Sequence, residues 1–221
     1  MTTTTYETEL AKNQPNNIFK ALGGLIYVAS TSVAIPAAFT TGVAADLLQL
    51  DPANWFLLGL LTQKDGIAFA RSMKQDDETS WGYDEPTRSD ISQDITSATF
   101  VMQEVNRHTA EMYDFIDLSA VTPDATTGEV SYNKAGVTAP IYKRLIYIGV
   151  DGAAADRRYR IKAMPKAQVT AVKDEVWNQT AATNFPVTVT AKVDSTLGYS
   201  VRTVLAGPGQ LARNAAAGFG A

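Results

Sequence analysis

Apolar and polar positions alternate with a period of two along much of this 221-residue chain, the pattern of strands that bury one face. In 157–164 (RRYRIKAM), Tyr159, Ile161 and Ala163 alternate with Arg158, Arg160 and Lys162. In 186–194 (PVTVTAKVD), Val187, Val189, Ala191 and Val193 alternate with Thr188, Thr190, Lys192 and Asp194. Residues 95–104 put Ala98, Phe100 and Met102 on one face of a long strand. The run 140–150 predicts a strand joined to 157–164 through DGAAAD. Segments 56–62 (FLLGLLT) and 67–73 (IAFARSM) flank Gln63-Lys64-Asp65-Gly66, and the Asp-Gly step there predicts a second hairpin. A further strand, 199–205, follows the turn-like Ser195–Gly198.

Helical spacing occurs clearly once. Over 106–117, Val105, His108, Met112 and Phe115 recur every three or four residues, with Asn106 as N-cap. A weaker helical turn is expected near 43–50. The stretch 74–92 (KQDDETSWGYDEPTRSDIS) is rich in loop formers and predicts a long excursion from the sheet. The whole reads as a mainly β domain over 21–206 with one flanking helix. An N-terminal arm (1–20) precedes it, and a Gly/Ala-rich tail (207–221), expected to be mobile, follows.

Residues 21–45 are uncharged and long enough to cross a bilayer. Gly23, Gly24, Pro36, Gly42 and the polar Ser30–Ser32 step interrupt that run, so the expectation is a buried strand, 25–29, followed by a neutral loop packed on another surface, such as another subunit. The N-terminus has neither the basic nor the apolar region of a secretory signal.

Composition then removes chemistry. There is no cysteine and one histidine, which excludes disulfides, thiolate metal sites and multi-histidine zinc centres. The sequence has no phosphate-binding glycine loop and no nucleophile elbow. Asp76-Asp77-Glu78 lacks the spacing of a calcium loop, and His108 on the apolar helical stripe reads as a packing residue. Asn178-Gln179-Thr180 matches a glycosylation sequon and carries no weight without a secretory signal. No catalytic residue, metal or cofactor is assigned.

Charge, by contrast, is strongly segregated. Residues 64–130 carry 14 acids and 5 bases, whereas 131–173 carry 9 bases and 2 acids, within a total of −4. The acids Asp76, Asp77, Glu78, Asp84 and Glu85 surround Trp81. Such runs are usually solvated faces. They also suit complementary contacts between different surfaces of identical molecules, which build rings or filaments. Alternate strand residues lie about 6.6 Å apart, so Arg158, Arg160 and Lys162 could follow phosphates. Three cations on an acidic chain do not make a tight nucleic-acid groove, and subunit pairing is the better reading. A soluble β-sandwich binding carbohydrate through Trp55, Trp81 and Trp177 is the alternative, with a carboxylate hydrolase and an outer-membrane barrel behind it.

The block from Asp65 to Phe115 resembles the central part of major tail tube proteins of long, non-contractile-tailed phages, with a flavour of those infecting actinobacteria. Its strand ends in an E-x-N-R-x-T-like sequence, Glu104, Asn106, Arg107 and Thr109, and leads into the single helix. The run from Lys166 to Gly209 resembles the family's closing strands, with a turn at Asp194–Gly198 and an exit at Gly207-Pro208. The resemblance covers roughly 20–210 and implies a β-sandwich or split barrel with a long hairpin loop. It implies hexameric rings that stack into a tube in the virion, assembled in the host cytoplasm. The implied partners are other copies, the tape-measure protein, tail terminator and distal tail proteins, and genomic DNA in sequence-independent transit, with no membrane. It further implies that the 74–92 loop reaches the adjacent ring and that the lumen is acidic. Asp76, Asp77, Glu78, Trp81, Asp84, Glu85, Arg158, Arg160 and Lys162 are the expected contact residues between subunits or rings.

Overall fold

The computed structural model describes residues 3–134, 136 and 139–220; residues 1–2 of the N-terminal arm and 221 of the tail lie outside the described residues. In chain order the elements are α1 (Tyr6–Leu10), β1 (Gly23–Ser30), β2 (Thr40–Thr41), β3 (Asp46–Leu47), β4 (Phe56–Leu57), β5 (Ile67–Thr79) and β6 (Pro86–Met102). These are followed by α2 (Arg107–Asp114), β7 (Tyr142–Asp151), β8 (Arg158–Val172), β9 (Phe185–Lys192), β10 (Arg202–Ala206) and α3 (Pro208–Leu211). The fold is mainly β, with one antiparallel sheet in the order β4-β1-β7-β8-β9-β6-β5 and β10 added to β8.

β8 organises the sheet. One of its edges pairs with β7 from Arg158 to Gln168. The other edge is shared, β10 taking Tyr159–Ala163 and β9 taking Lys166–Val172. A pattern of alternating residues predicts the first half of this strand and stops at Pro165, because proline in a central strand removes a ladder hydrogen bond. The register shift between Lys143 and Leu145 sets Pro165 and Lys166 against Arg144 alone. That bulge tolerates the proline and reverses which residues face which side.

Two cores result, one on each face of β7. Leu145 and Tyr147 point into a cluster with Ile26, Phe100, Met102, Met164, Val187 and Val189. Ile146 and Ile148 point the other way, to Phe39, Leu50, Trp55, Tyr159 and Ile161. The neutral stretch after β1 is therefore packed against its own chain, with Phe39 buried and Val33 and Ile35 half-buried. Arginines hold its backbone: Arg144 donates to the Val33 carbonyl, and Arg202 donates to those of Pro36 and Ala37. The helical turn expected near 43–50 is instead the small β2–β3 hairpin.

The Asp-Gly turn also differs from expectation. Segment 56–62 does not pair with 67–73. Phe56 and Leu57 pair with β1, Leu61 bridges Met102, and Ile67 pairs with Phe100, so both flanks of the turn lie along β6. Gly66, at φ 57°, closes a tight loop on the Thr62 carbonyl (3.0 Å) and leaves the chain direction unchanged. Residues 56–61 thereby join β1 to β6 and curl the sheet into a split barrel around the first core.

The resemblance motif explains how that junction is held. Glu104 accepts the Leu60 N–H (2.8 Å), and the Asn106 amide donates to the Leu58 carbonyl (3.1 Å). Asn106 Oδ1 caps α2 through the Thr109 N–H (2.9 Å), and Arg107 lies over the Phe56 ring. α2 ends at Phe115, which adopts a left-handed conformation at φ 59°. The start of the C-terminal tail, residues 207–213, lies against the β7–β8 turn. Gly209 is buried, its N–H bonds the Arg157 carbonyl (3.0 Å), and Arg213 pairs with Asp156 (2.8 Å).

Candidate assembly surface

The 74–92 excursion is not a loop. β5 and β6 pair continuously from Ile67–Phe100 out to Thr79–Pro86, but β9 accompanies β6 only as far as Ser97. Beyond that point the hairpin leaves the sheet as a two-stranded arm whose residues 70–94 are all exposed. Eight residues per strand, Ser72–Thr79, make it about 27 Å long. Register shifts between Lys74 and Gln75 and between Glu78 and Thr79 interrupt it with bulges at Ser92 and Thr87. Their hydroxyls bond back across the strands to the carbonyls of Lys74 (3.3 Å) and Glu78 (3.2 Å).

Charge on the arm is only partly balanced. A two-point Arg71–Asp94 pair (2.8 and 2.6 Å) clamps its root. Asp76 and Asp90 stand directly opposite each other, each relieved by a neighbour on its own strand, Lys74 at 3.0 Å and Arg88 at 2.7 Å. Hydrogen bonds from Ser89 and Gln75 hold the Asp77 carboxyl below its usual range. Residues 74–92 hold six carboxylates and two cations. At the tip, Gly82 at φ 89° turns the chain between Trp81, fully exposed, and Tyr83, 68% exposed. Met73 and Ile91 are also exposed, on the face that continues the first core.

The basic row divides. Arg158 serves its own chain: it pairs with Asp151, donates to the carbonyls of Asn16 and Ile18, and lies over Phe19. It straps residues 15–22 to the β7–β8 hairpin. Lys162 is half-buried, its ammonium 4.6 Å from the centre of the Phe69 ring, and burial followed by the charge of Arg160 lowers its pKa. Arg160 is exposed. Among the described residues no ion pair links these cations to the arm's carboxylates.

Register fixes where these parts lie. β6 and β8 are both antiparallel to β9, with Ser97 opposite Thr190 and Thr190 opposite Gln168. Arg158, Arg160 and Lys162 therefore sit at the end of the sheet from which the arm projects. The other end carries α2 and the loop after β8. There a groove of about 320 Å³ lies between Val105, Tyr113, Tyr132, Trp177 and Phe185, with Asp114 and Glu175 on its rim. The Tyr113 hydroxyl donates to the Lys173 carbonyl (2.6 Å) and that of Tyr132 to Asp114 (3.0 Å). This groove carries no periodic signal, because its walls come from segments far apart in the chain; the exposed Trp177 was its one visible mark.

His108 stacks on Phe56 (4.6 Å) and approaches Glu111, a buried carboxylate. Burial pushes the Glu111 carboxyl up, but His108 and Lys143 (2.8 Å) outweigh it and hold the pKa at about 2. The group ties α2 to β7. Among the described residues no three carboxylate or histidine side chains are arranged to hold a metal ion. Nor is any helix long and apolar enough to cross a membrane. Trp55 is buried in the second core, while Trp81 and Trp177 lie at opposite ends, so the three form no common platform.

Residues 11–200 match the phage tail tube protein family. The chain belongs to that family. No curated protein matches it. Members of the phage tail tube family are structural virion proteins that self-assemble into a tube, which is not an enzyme class. This tail tube protein combines an exposed two-stranded arm with strong segregation of charge along the chain.

Proposed function

We propose that this tail tube protein forms hexameric rings that stack into the tube of a long, non-contractile tail, the conduit through which DNA leaves the capsid. The supporting observation is the arm: a two-stranded hairpin with neither face covered is marginal in water and belongs against another surface. β5 also leaves one edge unpaired among the described residues along Ile67–Thr79, an edge a neighbouring copy's strand would satisfy. In this arrangement Arg160 and Lys162, at the arm's own end, would meet the shaft carboxylates Asp76, Asp77 and Glu78 of a laterally adjacent copy. Trp81, Asp84 and Glu85 at the tip would reach the next ring. Arg158, spent within its own chain, is not a contact residue in this reading. The tape-measure protein within the tube, terminator and distal tail proteins at its ends, and assembly in the host cytoplasm complete the proposal.

Negative-stain microscopy of the purified protein, with sedimentation over a range of concentrations, tests it. Rings or tubes of uniform diameter are expected. A protein that stays monomeric at high concentration in the presence of its tail-assembly partners would overturn it.

A further inference from the structure

We propose that the groove beside α2 receives the arm tip of a second copy of this chain, Trp81 and Tyr83 entering head to tail. The proposal rests on the tube reading above and names the partner surface for the tip. Topology carries it: the arm leaves one end of the sheet, and the groove opens at the other, where β6 runs into α2 and Phe185 pairs with Met102. A head-to-tail contact joining opposite ends of identical molecules propagates as a stack wherever its rotation does not close it into a ring. The basic strand, the alternative receiver, lies at the arm's own end and faces the wrong way for such a stack.

The surfaces match in kind. The tip offers two exposed aromatic side chains, and the groove offers the rings of Tyr113, Tyr132, Trp177 and Phe185, with Trp177 82% exposed. Its volume of about 320 Å³ is at the small end for a side-chain or ligand pocket. Asp114 on the rim is paired with Lys134 at 3.8 Å, so part of the rim's negative charge is already answered before the acidic tip arrives. Buried aromatics cover about 150–250 Å² each, so the two tip rings and the groove together bury about 600–1,000 Å². That is below the roughly 1,200 Å² of a stable pairwise interface. One contact is therefore too weak to make dimers in solution, and it becomes effective only when repeated around a ring.

The absence of native cysteine allows a direct test. Asp84→Cys is combined with Ala110→Cys, in the groove wall on α2, leaving both tip aromatics intact. Oxidation of assembled tubes, followed by a denaturing non-reducing gel, should give a ladder of covalent oligomers that neither single variant gives. The pair Asp84→Cys and Arg160→Cys should remain monomeric on the same gel. A ladder from the Arg160 pair, or tubes that give no ladder from the Ala110 pair, overturns the groove assignment alone. Failure of the wild-type protein to form tubes overturns the reading beneath it. Trp81→Ala gives an independent measurement: loss of tubes with unchanged thermal unfolding is expected, and normal tubes would count against the groove.

Discussion

The sheet contains two long antiparallel hairpins built by the same backbone rules and put to opposite uses. In β7–β8 both faces are covered, by the first core on one side and the second on the other. In the outer half of β5–β6 neither face is covered, and the strands carry Asp76 opposite Asp90 where the other hairpin carries Ile148 opposite Ile161. The first hairpin is stabilised by burial within the chain. The second gains nothing comparable from its own fold, and under the proposed assembly its length serves what it meets outside the subunit.

Substitutions can separate these two kinds of strand. The largest effect is expected from Phe100→Ala, which empties a fully buried site beside Tyr147 at the base of the arm. A loss of about 3–5 kcal/mol should appear in denaturant unfolding. Replacing 73–93 by a short turn, although it removes far more chain, should leave the unfolding midpoint nearly unchanged while abolishing tubes. A large drop in stability on that deletion would show that the arm supports the fold it leaves.

Acid should destabilise the body through Glu111. Because Glu111 titrates at about 2 in the folded protein, below its ordinary value of 4.5, its contribution is complete above pH 4.5 and is lost as pH falls toward 2. That contribution is about 3 kcal/mol. Glu111→Gln should flatten the stability profile across this window, as followed by circular dichroism. A smaller effect, about 1–2 kcal/mol, is expected for Asn106→Ala, which removes the α2 cap and the bond to Leu58. The smallest is Asp90→Ser on the arm. Relieving the Asp76 contact while losing the Arg88 pair should change stability by less than about 0.5 kcal/mol.

The sequence revealed strands where one face is apolar and the other polar, as in Tyr159–Ala163 and Val187–Ala191. It concealed the arm because alternation there is between polar residues, and because the bulges at Ser92 and Thr87 shift the phase. The continuation of β8 was hidden by Pro165, whose tolerance depends on Arg144 across the sheet. The Asp-Gly signal was real as a turn and misleading as a hairpin, since β6, about 35 residues on, decides what its flanks pair with. Of the expected contact residues, the acids and Trp81 emerge exposed together on one arm. Arg158 has one near partner, Asp151 across the β7–β8 hairpin, but the carbonyls of Asn16 and Ile18 that complete its internal role lie 142 and 140 residues away.

The shared edge of β8 also has a mechanical meaning. Inter-strand hydrogen bonds in an antiparallel ladder run across the strands. A pull along β8 therefore loads its bonds to β7 on one side, and to β10 and then β9 on the other, all at once. No single bond can fail first and unzip the rest. A strand gripped along both edges resists tension in shear, a fitting property for the spine of a tube subunit.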